Sequence, residues 1–324
     1  MTKIRIGIVG FGNLGKGVEE AISFQKDMEL KAIFSRREIK NVRSGVPVVA
    51  VEKAVEYKYE IDVMILCGGS ATDLPVQGAK FASNFHTVDS FDNHARIPEY
   101  FEKIHQSAME SGKLSLISTG WDPGLFSLMR VLGEAVLPLG KTYTFWGRGL
   151  SQGHSDAIRR IPGVKKGAQY TVPNEGALQD IRDGKQPDMV ATEMHHRICY
   201  VVAEEGADQK KIATAIKTMP HYFAPYHTEV HFISDLEFDA DHQKMPHGGK
   251  VLRSGISATE ENQLLEFGLS LNSNPQFTAS VLVAYARAVY RMSKEGKTGA
   301  VTVFDIPIGH LSAQAPEILR KEFL

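Results

Sequence analysis

The chain has 324 residues, of which 43% are hydrophobic and 23% charged, a composition typical of a globular protein large enough for two domains. Its 37 lysine and arginine residues are balanced by 38 aspartate and glutamate residues, which leaves a formal net charge of −1. This balance excludes bulk charge attraction to nucleic acid or to a membrane surface, so neither is expected as a partner.

Short apolar runs alternate with helical segments through the first third of the chain. The run at 63–67 is apolar throughout, as expected of a parallel strand that is buried on both faces. Helices are predicted at 14–24 and around Ile97–Ala108. Strands that alternate with helices predict an α/β fold, with a Rossmann-type doubly wound parallel sheet. The predicted strands are 4–9, 30–34, 63–67, 87–89 and 114–117.

The pattern changes near Trp121, and strand-like segments separated by glycine, proline and charged residues follow. They predict a second, α+β domain with a mostly antiparallel sheet. An alanine- and valine-rich helix at 278–292 is placed to pack back on the first domain. We therefore predict a dinucleotide-binding domain at 1–121 plus 278–324, and a substrate-binding and dimerisation domain at 122–277. The predicted strands of the second domain are 142–146, 197–202 and 229–233.

Two cysteines, Cys67 and Cys199, lie far apart in apolar runs typical of buried strands, so we predict core thiols in a reducing compartment. The chain enters a strand pattern directly, which predicts no signal peptide, and no apolar stretch is long enough to span a bilayer. We expect a cytoplasmic protein.

A glycine-rich turn follows the first predicted strand and opens the first predicted helix. Its sequence is Gly10-Phe11-Gly12-Asn13-Leu14-Gly15, which matches the dinucleotide fingerprint G-x-G-x-x-G. In that motif the first glycine permits a tight turn, the second lets the backbone approach a pyrophosphate, and the third allows close helix–strand packing. The context favours a cofactor site over the alternative, which is a plain glycine turn.

The end of the second strand indicates which dinucleotide binds. NAD enzymes usually have an acidic residue there, whereas this chain has Ser35-Arg36-Arg37, which suits a 2′-phosphate and predicts NADP. A solvated basic loop is the alternative. After the third strand, small residues would let the backbone lie against the cofactor, although a simple turn explains them equally well. They are Gly69, Ser70, Ala71 and Thr72.

A second class of enzyme is suggested by residues 149–153, which match the G-x-S-x-G nucleophile elbow of serine hydrolases. We disfavour it because 147–149 separate the motif from the nearest predicted strand, and because it leaves the N-terminal fingerprint unexplained. A non-catalytic NADP-sensing protein is a third hypothesis, disfavoured by the polar clusters described next. No metal is predicted, since the histidines lack a known ligand spacing.

Polar residues follow two strands at the carboxyl edge of the predicted sheet, where such sheets bind ligands. Asp92 follows the strand at 87–89, and Trp121 and Asp122 follow the strand at 114–117. Two carboxylates and an indole suit an ammonium or polyhydroxyl ligand. Turns without function are the alternative.

These residues stand within longer motifs, and there the chain resembles the meso-diaminopimelate D-dehydrogenase family almost end to end. The resemblance includes the glycine fingerprint and the Ser35-Arg36-Arg37 segment. It also includes the apparent serine elbow, which is part of a longer dehydrogenase motif. Its other motifs are at 69–73, 92–94, 118–124, 144–147, 149–157, 159–164, 245–249 and 274–275.

The resemblance implies an NADP-dependent D-amino acid dehydrogenase. It would reversibly deaminate the D-centre of meso-2,6-diaminopimelate to L-2-amino-6-oxopimelate and ammonium, in lysine biosynthesis. The family is typically homodimeric, with a substrate domain that closes over the cofactor. Another two-domain NAD(P)-dependent oxidoreductase, acting on a polyol or a semialdehyde, is the alternative.

The resemblance also assigns roles to single residues. Asp92 and Asp122 would orient the reacting amine, and Trp121 would shape the pocket beside them. Flanking acids are chemically sensible, because the amine must be neutral when hydride leaves the carbon. The remaining substrate contacts would come from Trp146, from the Gln152-Gly153 backbone at the near carboxylate, and from Thr171, Arg197, His247 and Asn274 at the distant one.

Overall fold

The computed structural model describes residues 3–220, 222–259 and 261–324. Up to residue 136 the chain alternates strands with helices, as the apolar pattern predicts. The strands are β1 (Ile4–Val9), β2 (Met28–Ser35), β3 (Val48–Ala50), β4 (Val63–Leu66), β5 (His86–Asp89) and β6 (Leu114–Leu116). The helices are α1 (Asn13–Ser23), α2 (Leu74–Ala82), α3 (Ile97–Ser111) and α4 (Leu125–Val136), with short 3₁₀ helices at Val51–Tyr57 and His94–Arg96.

The rest of the chain contains more strands, followed by a long helix. The strands are β7 (Gly140–Trp146), β8 (Gly149–Leu150), β9 (Val164–Pro173), β10 (His195–Ala203), β11 (Thr228–Phe232), β12 (His247–Ala258), β13 (Glu261–Leu271) and β14 (Gly299–Val301). The helices are α5 (Gln152–Arg159), α6 (Glu175–Arg182), α7 (Ala191–Met194), α8 (Gln209–Lys217), α9 (Asp235–Asp241), α10 (Asn274–Lys294) and α11 (Pro316–Phe323), with 3₁₀ helices at Val303–Asp305 and Ile308–Leu311.

The chain divides into two compact units. The first unit runs to Leu128 and resumes at Pro275–Leu324, and the second unit comprises Met129–Asn274. The boundaries expected from the sequence, after residues 121 and 277, differ by a few residues, because α4 and α10 each run across a boundary. The roles assigned to the two units stay predictions.

The first unit is built on a parallel sheet with the strand order β14-β6-β5-β4-β1-β2-β3. This confirms the predicted doubly wound, Rossmann-type fold. The chain moves outward from β1 to β2 and β3 and then returns to the other side of β1 as β4. The loops that leave β1 and β4 therefore lie side by side at the switch point, where such sheets bind dinucleotides.

Helices cover both faces of this sheet, which explains the uninterrupted apolar run of β4. Val63 and Ile65 belong to one core together with residues of α1 and α10. Met64 and Leu66 belong to the opposite core together with residues of α2 and α3. Because successive side chains of a strand point to opposite faces, a strand that is buried on both sides is apolar at every position.

The second unit contains two small sheets, in the orders β13-β12-β7 and β11-β10-β9-β8. All their pairs are antiparallel except β10 with β11. The expectation of a mostly antiparallel sheet is therefore confirmed, although the strands form two sheets rather than one. The parallel pair is possible because α8 lies between β10 and β11 in the chain and provides the crossover that such a pair requires.

The two cysteines differ in their surroundings. Cys199 is buried within β10, as predicted, whereas Cys67 follows the end of β4 and is partly exposed. None of the described helices combines the length and apolar character needed to cross a bilayer.

Candidate functional site

The glycines after β1 have three different geometries. Gly10 has a φ of +87°, which side chains rarely adopt, and a Cβ at Gly15 would lie 2.2 Å from the carbonyl oxygen of Gly10. At Gly12 an added Cβ would meet nothing within 4 Å. The first and third glycines are therefore required by the protein's own packing, whereas Gly12 borders open space of the kind a pyrophosphate would enter.

Helix α1 begins directly behind this open space, with Gly12 as its N-cap. Since Gly12 has no side chain to cap the helix, the first turn offers N–H groups and the positive end of the helix dipole to an anion. Phe11 is buried in the core beside the loop, Leu14 is half-buried and Asn13 is exposed. The geometry fits a dinucleotide, and the contacts of the six fingerprint residues stay predictions.

The segment at the end of β2 presents two exposed guanidinium groups. The backbone N–H of Arg37 donates to the hydroxyl of Ser35 at 3.0 Å, which holds the turn. Arg36 forms an ion pair with Asp73 at 2.6 Å, whereas Arg37 forms none within the part of the chain that the structure describes. At the predicted phosphate site, the guanidinium of Arg36 is therefore held in an ion pair, and that of Arg37 is available to bind a phosphate.

The turn after β4 lies beside the glycine loop, since a Cβ at Gly10 would be 3.3 Å from the carbonyl oxygen of Cys67. Asp73 closes this turn by accepting the N–H of Gly69 at 3.0 Å. The hydroxyl of Ser70 accepts the N–H of Asp92 at 3.1 Å. The predicted cofactor segment, which also contains Ala71 and Thr72, is thus tied to the loop that carries a predicted acid.

The predicted residues of the first unit's substrate site follow β5 and β6. Asp92 is exposed, Asp122 is half-buried, and Trp121 is buried with its ring packed edge-on against Phe126 at 5.3 Å. Because β5 and β6 are neighbours in the sheet, their carboxyl ends bring both loops to one edge. Their catalytic roles stay predictions.

A residue without an assigned role in the sequence analysis joins these two loops. Asp89, the last residue of β5, is buried, and one of its carboxylate oxygens accepts the N–H groups of Phe91 and Ser118, each at 3.0 Å. The hydroxyl of Tyr100 donates to the other oxygen at 2.7 Å. The sequence signal was an acidic residue at the end of an apolar strand, which by itself does not reveal these partners.

The second unit contains a buried guanidinium, that of Arg197. Only 8% of this residue is exposed, and it hydrogen-bonds the hydroxyl of Thr171, its direct partner across β9 and β10. The ring of Tyr226 lies 4.1 Å from the guanidinium. Burial lowers the pKa of Arg197, its Nε has no hydrogen-bond partner, and no described carboxylate forms an ion pair with it. An arginine in this state is suited to bind an anion.

The other predicted substrate residues of the second unit lie around Met245. The side-chain amide of Gln152 lies 2.9 Å from the sulfur of Met245, and the backbone N–H of Asn274 donates to the carbonyl oxygen of Met245 at 3.0 Å. A Cβ at Gly149 would lie 2.6 Å from the ring of His247, so only glycine fits there. The structure thus brings Gln152, Asn274 and the residues next to His247 together, with the exposed Gly153 in the first turn of α5.

Trp146 is held by His195, a residue to which the sequence analysis assigned no role. Its backbone N–H donates to Nε2 of His195 at 2.8 Å, and the two rings stack with centroids 5.4 Å apart. Nδ1 of His195 faces the carbonyl oxygen of Ala191 at 3.0 Å. Burial lowers the pKa of His195, which favours the neutral ring that can accept from one side and donate to the other.

The G-x-S-x-G motif at 149–153 is preceded by a strand and followed by a helix, an order that was not predicted from the sequence. β8 runs directly into Ser151, and α5 follows. Ser151 nevertheless has an ordinary extended backbone, with φ −92° and ψ 116°, rather than the strained turn of a nucleophile elbow. Its hydroxyl lies 2.7 Å from Nδ1 of His154, but no carboxylate among the described residues hydrogen-bonds that histidine. The motif therefore lacks the features of a hydrolase triad.

No group of three or more histidine, cysteine, aspartate or glutamate side chains that could hold a metal occurs in the ranges 3–220, 222–259 and 261–324.

Comparison with known proteins identifies relatives of the whole chain. Residues 120–273 match the family model described as the diaminopimelic acid dehydrogenase C-terminal domain. The chain is 61% identical over 326 residues to a meso-diaminopimelate D-dehydrogenase of Ureibacillus thermosphaericus, and the alignment covers 100% of both chains.

Two solved structures extend the similarity to the fold. A C. glutamicum DAP dehydrogenase in complex with DAP is 46% identical with a TM-score of 0.91, and the match covers 100% of each chain. An engineered D-amino acid dehydrogenase bound to NADP⁺ is 44% identical with a TM-score of 0.86, again over 100% of each chain.

Proposed function

Because this chain belongs to the meso-diaminopimelate D-dehydrogenase family, we propose that it catalyses the NADP-dependent, reversible oxidative deamination of the D-centre of meso-2,6-diaminopimelate. The products are L-2-amino-6-oxopimelate, the open form of tetrahydrodipicolinate, together with ammonium and NADPH. The reaction belongs to lysine biosynthesis. The observation that carries this proposal is the identity of 61% and 59% over the full length of two curated relatives that share one named activity.

The residues at the switch point suit NADP. Open space at Gly12, the uncapped start of α1 and two exposed arginines are what a pyrophosphate and a 2′-phosphate require. When bound, the cofactor accepts the hydride that leaves the substrate. The NADP⁺ complex of the engineered relative supports the same choice.

The acids of the first unit suit the chemistry of the reacting centre. The D-carbon loses a hydride and the neutral amine loses a proton, which leaves an imine, and water then replaces the nitrogen to give the ketone and ammonia. Asp92 and Asp122 orient the amine and accept its proton, and the buried ring of Trp121 limits the space beside them.

The arginine of the second unit suits the distant carboxylate of the substrate. Arg197 is buried without an ion-pair partner in the described chain, so a ligand carboxylate would supply the charge that its surroundings lack. Thr171 adds a hydroxyl, and His247 and Asn274 contribute further polar groups to this end. The acids of the first unit therefore suit an amino group of a diamino diacid, and the arginine of the second unit suits a carboxylate.

The family resemblance further supports a cytoplasmic homodimer, which is part of the proposal. Light scattering on the purified protein tests the dimer, since a mass near twice the 35.8 kDa of one chain is expected.

The activity is tested by following NADPH absorbance with the purified protein, NADP and meso-diaminopimelate. A rise with the meso compound and NADP, and little or none with NAD or with the LL-isomer, is the expected result. An equal rate with the LL-isomer would contradict the stereochemical assignment. Detectable NADP binding without any rise would leave a polyol or a semialdehyde as the substrate to test.

A further inference from the structure

The carboxylate of Asp89 links the loop after β5 to the loop after β6 by accepting a backbone N–H from each. Asp89 is 1% exposed at the end of β5. One oxygen accepts from Phe91, the residue before Asp92, and from Ser118, three residues before Trp121, both at 3.0 Å. Its backbone oxygen also accepts the N–H of Thr119 at 2.9 Å.

The rest of the contacts of Asp89 restrain its own position. The Tyr100 hydroxyl donates to the second carboxylate oxygen at 2.7 Å, and the Tyr100 ring stacks on Phe91 with centroids 4.1 Å apart. Ser118 has a left-handed φ of 54°, which is unfavourable for a residue other than glycine. The Asp89 bond to its N–H helps to hold that conformation, from which the loop continues to Trp121 and Asp122.

We infer that Asp89 is a positioning residue, whose carboxylate sets the separation of the two loops that carry Asp92 and Asp122. This inference rests on the proposed function, because the two acids have a catalytic role only in that reaction. Since a displacement of about 1 Å between reacting groups can cost about 10²-fold in rate, a shared acceptor behind both loops controls turnover without touching the substrate.

If Asp89 acts by accepting hydrogen bonds, kcat should depend on its acceptor oxygen and not on its charge. Asp89→Asn keeps a carbonyl oxygen for Phe91 and Ser118, and its amide can donate to the Tyr100 oxygen. Asp89→Ala removes the acceptor, and both N–H groups lose their partner. We expect Asp89→Ala to lower kcat about 10- to 100-fold with less than about 3-fold change in the NADP dissociation constant. Asp89→Asn should stay within about 3-fold of the unmodified protein in both.

Two further variants make the comparison specific. Asp62→Ala is the matched control, because Asp62 also accepts a backbone N–H, that of Arg5 at 2.9 Å, but precedes β4 at the opposite edge of the sheet. It should lose stability and keep kcat. Asp122→Asn shows how far kcat falls when one of the two proposed catalytic acids is itself removed. If Asp89→Ala does not fold, Asp89→Ser replaces it, since its short hydroxyl cannot reach both N–H groups.

The measurements are kcat, KM for meso-diaminopimelate, the NADP dissociation constant and the melting temperature of each variant. Unchanged kcat in folded Asp89→Ala or Asp89→Ser overturns the inference, and so does an Asp89→Asn loss as large as that of Asp89→Ala. A kcat loss matched by lost NADP affinity would assign Asp89 a general structural role and also overturn it. Absence of activity in the unmodified protein would refute the proposed function instead.

Discussion

Asp89 in the first unit and Arg197 in the second are both buried charged residues, but they are satisfied in opposite ways. Both carboxylate oxygens of Asp89 accept hydrogen bonds from the protein itself. Arg197 has the Thr171 hydroxyl and the Tyr226 ring, and its Nε has no partner. Burying a charge is costly unless its hydrogen bonds are made, so Asp89 fits a role within the protein and Arg197 fits a ligand.

The largest effect is expected from Arg197→Leu. Removal of the guanidinium should raise KM for meso-diaminopimelate by about 100-fold or more, because a charge-assisted contact to the distant carboxylate is lost. The melting temperature should stay the same or rise, because an unpaired buried charge is replaced by an apolar side chain. Steady-state kinetics and thermal melting check both parts.

Arg253→Leu is the control for Arg197, because Arg253 is also buried but its guanidinium is used within the protein. It donates to the carbonyl oxygens of Leu137 and Pro138 and to the hydroxyl of Thr142. This variant should melt at a lower temperature with little change in KM. If Arg197→Leu and Arg253→Leu both changed mainly KM, or both mainly the melting temperature, the distinction between a ligand-binding and a structural arginine would be wrong.

An intermediate effect is expected at the two exposed arginines after β2. Arg37→Ala should raise KM for NADP about tenfold, and Arg36→Ala should raise it less, because Arg36 already shares its charge with Asp73. KM for NAD, which lacks the 2′-phosphate, is the control and should change less than about twofold. Equal effects on NADP and NAD would show that neither arginine reads the phosphate.

The smallest effect concerns His86, a half-buried base rather than a permanent charge. Burial, with smaller effects of Lys113 and Lys294, lowers its pKa from 6.5 to about 4, and its Nδ1 accepts the N–H of Leu114 at 2.9 Å. The unfolded chain therefore binds a proton at this residue between pH 6.5 and 4 where the folded chain does not. The free energy of unfolding should fall as pH decreases through this range.

His86→Gln should reduce that pH dependence, by an amount on the order of 1 kcal/mol between the two ends of the range. Denaturant unfolding at several pH values measures it. An identical slope for His86→Gln and the unmodified protein would contradict the prediction.

The glycine fingerprint and the parallel sheet could be predicted because their signals are local. Consecutive residues set the turn at Gly10, and the apolar run of β4 reports its two-sided burial directly. The strand before Ser151 was missed for the opposite reason. β8 has only two residues and exists through its pairing with β9, so it leaves no periodic pattern in the sequence.

The sequence by itself determined the fold class, the dinucleotide loop, the arginines after β2 and the family, because each rests on short-range patterns or on long runs of matching residues. Only the tertiary structure decided that Asp89 binds a loop 29 residues away and that Arg197 meets Thr171 but no described carboxylate. Hydrogen bonds and burial depend on which distant segments meet, and that information is not contained in the spacing of neighbouring residues.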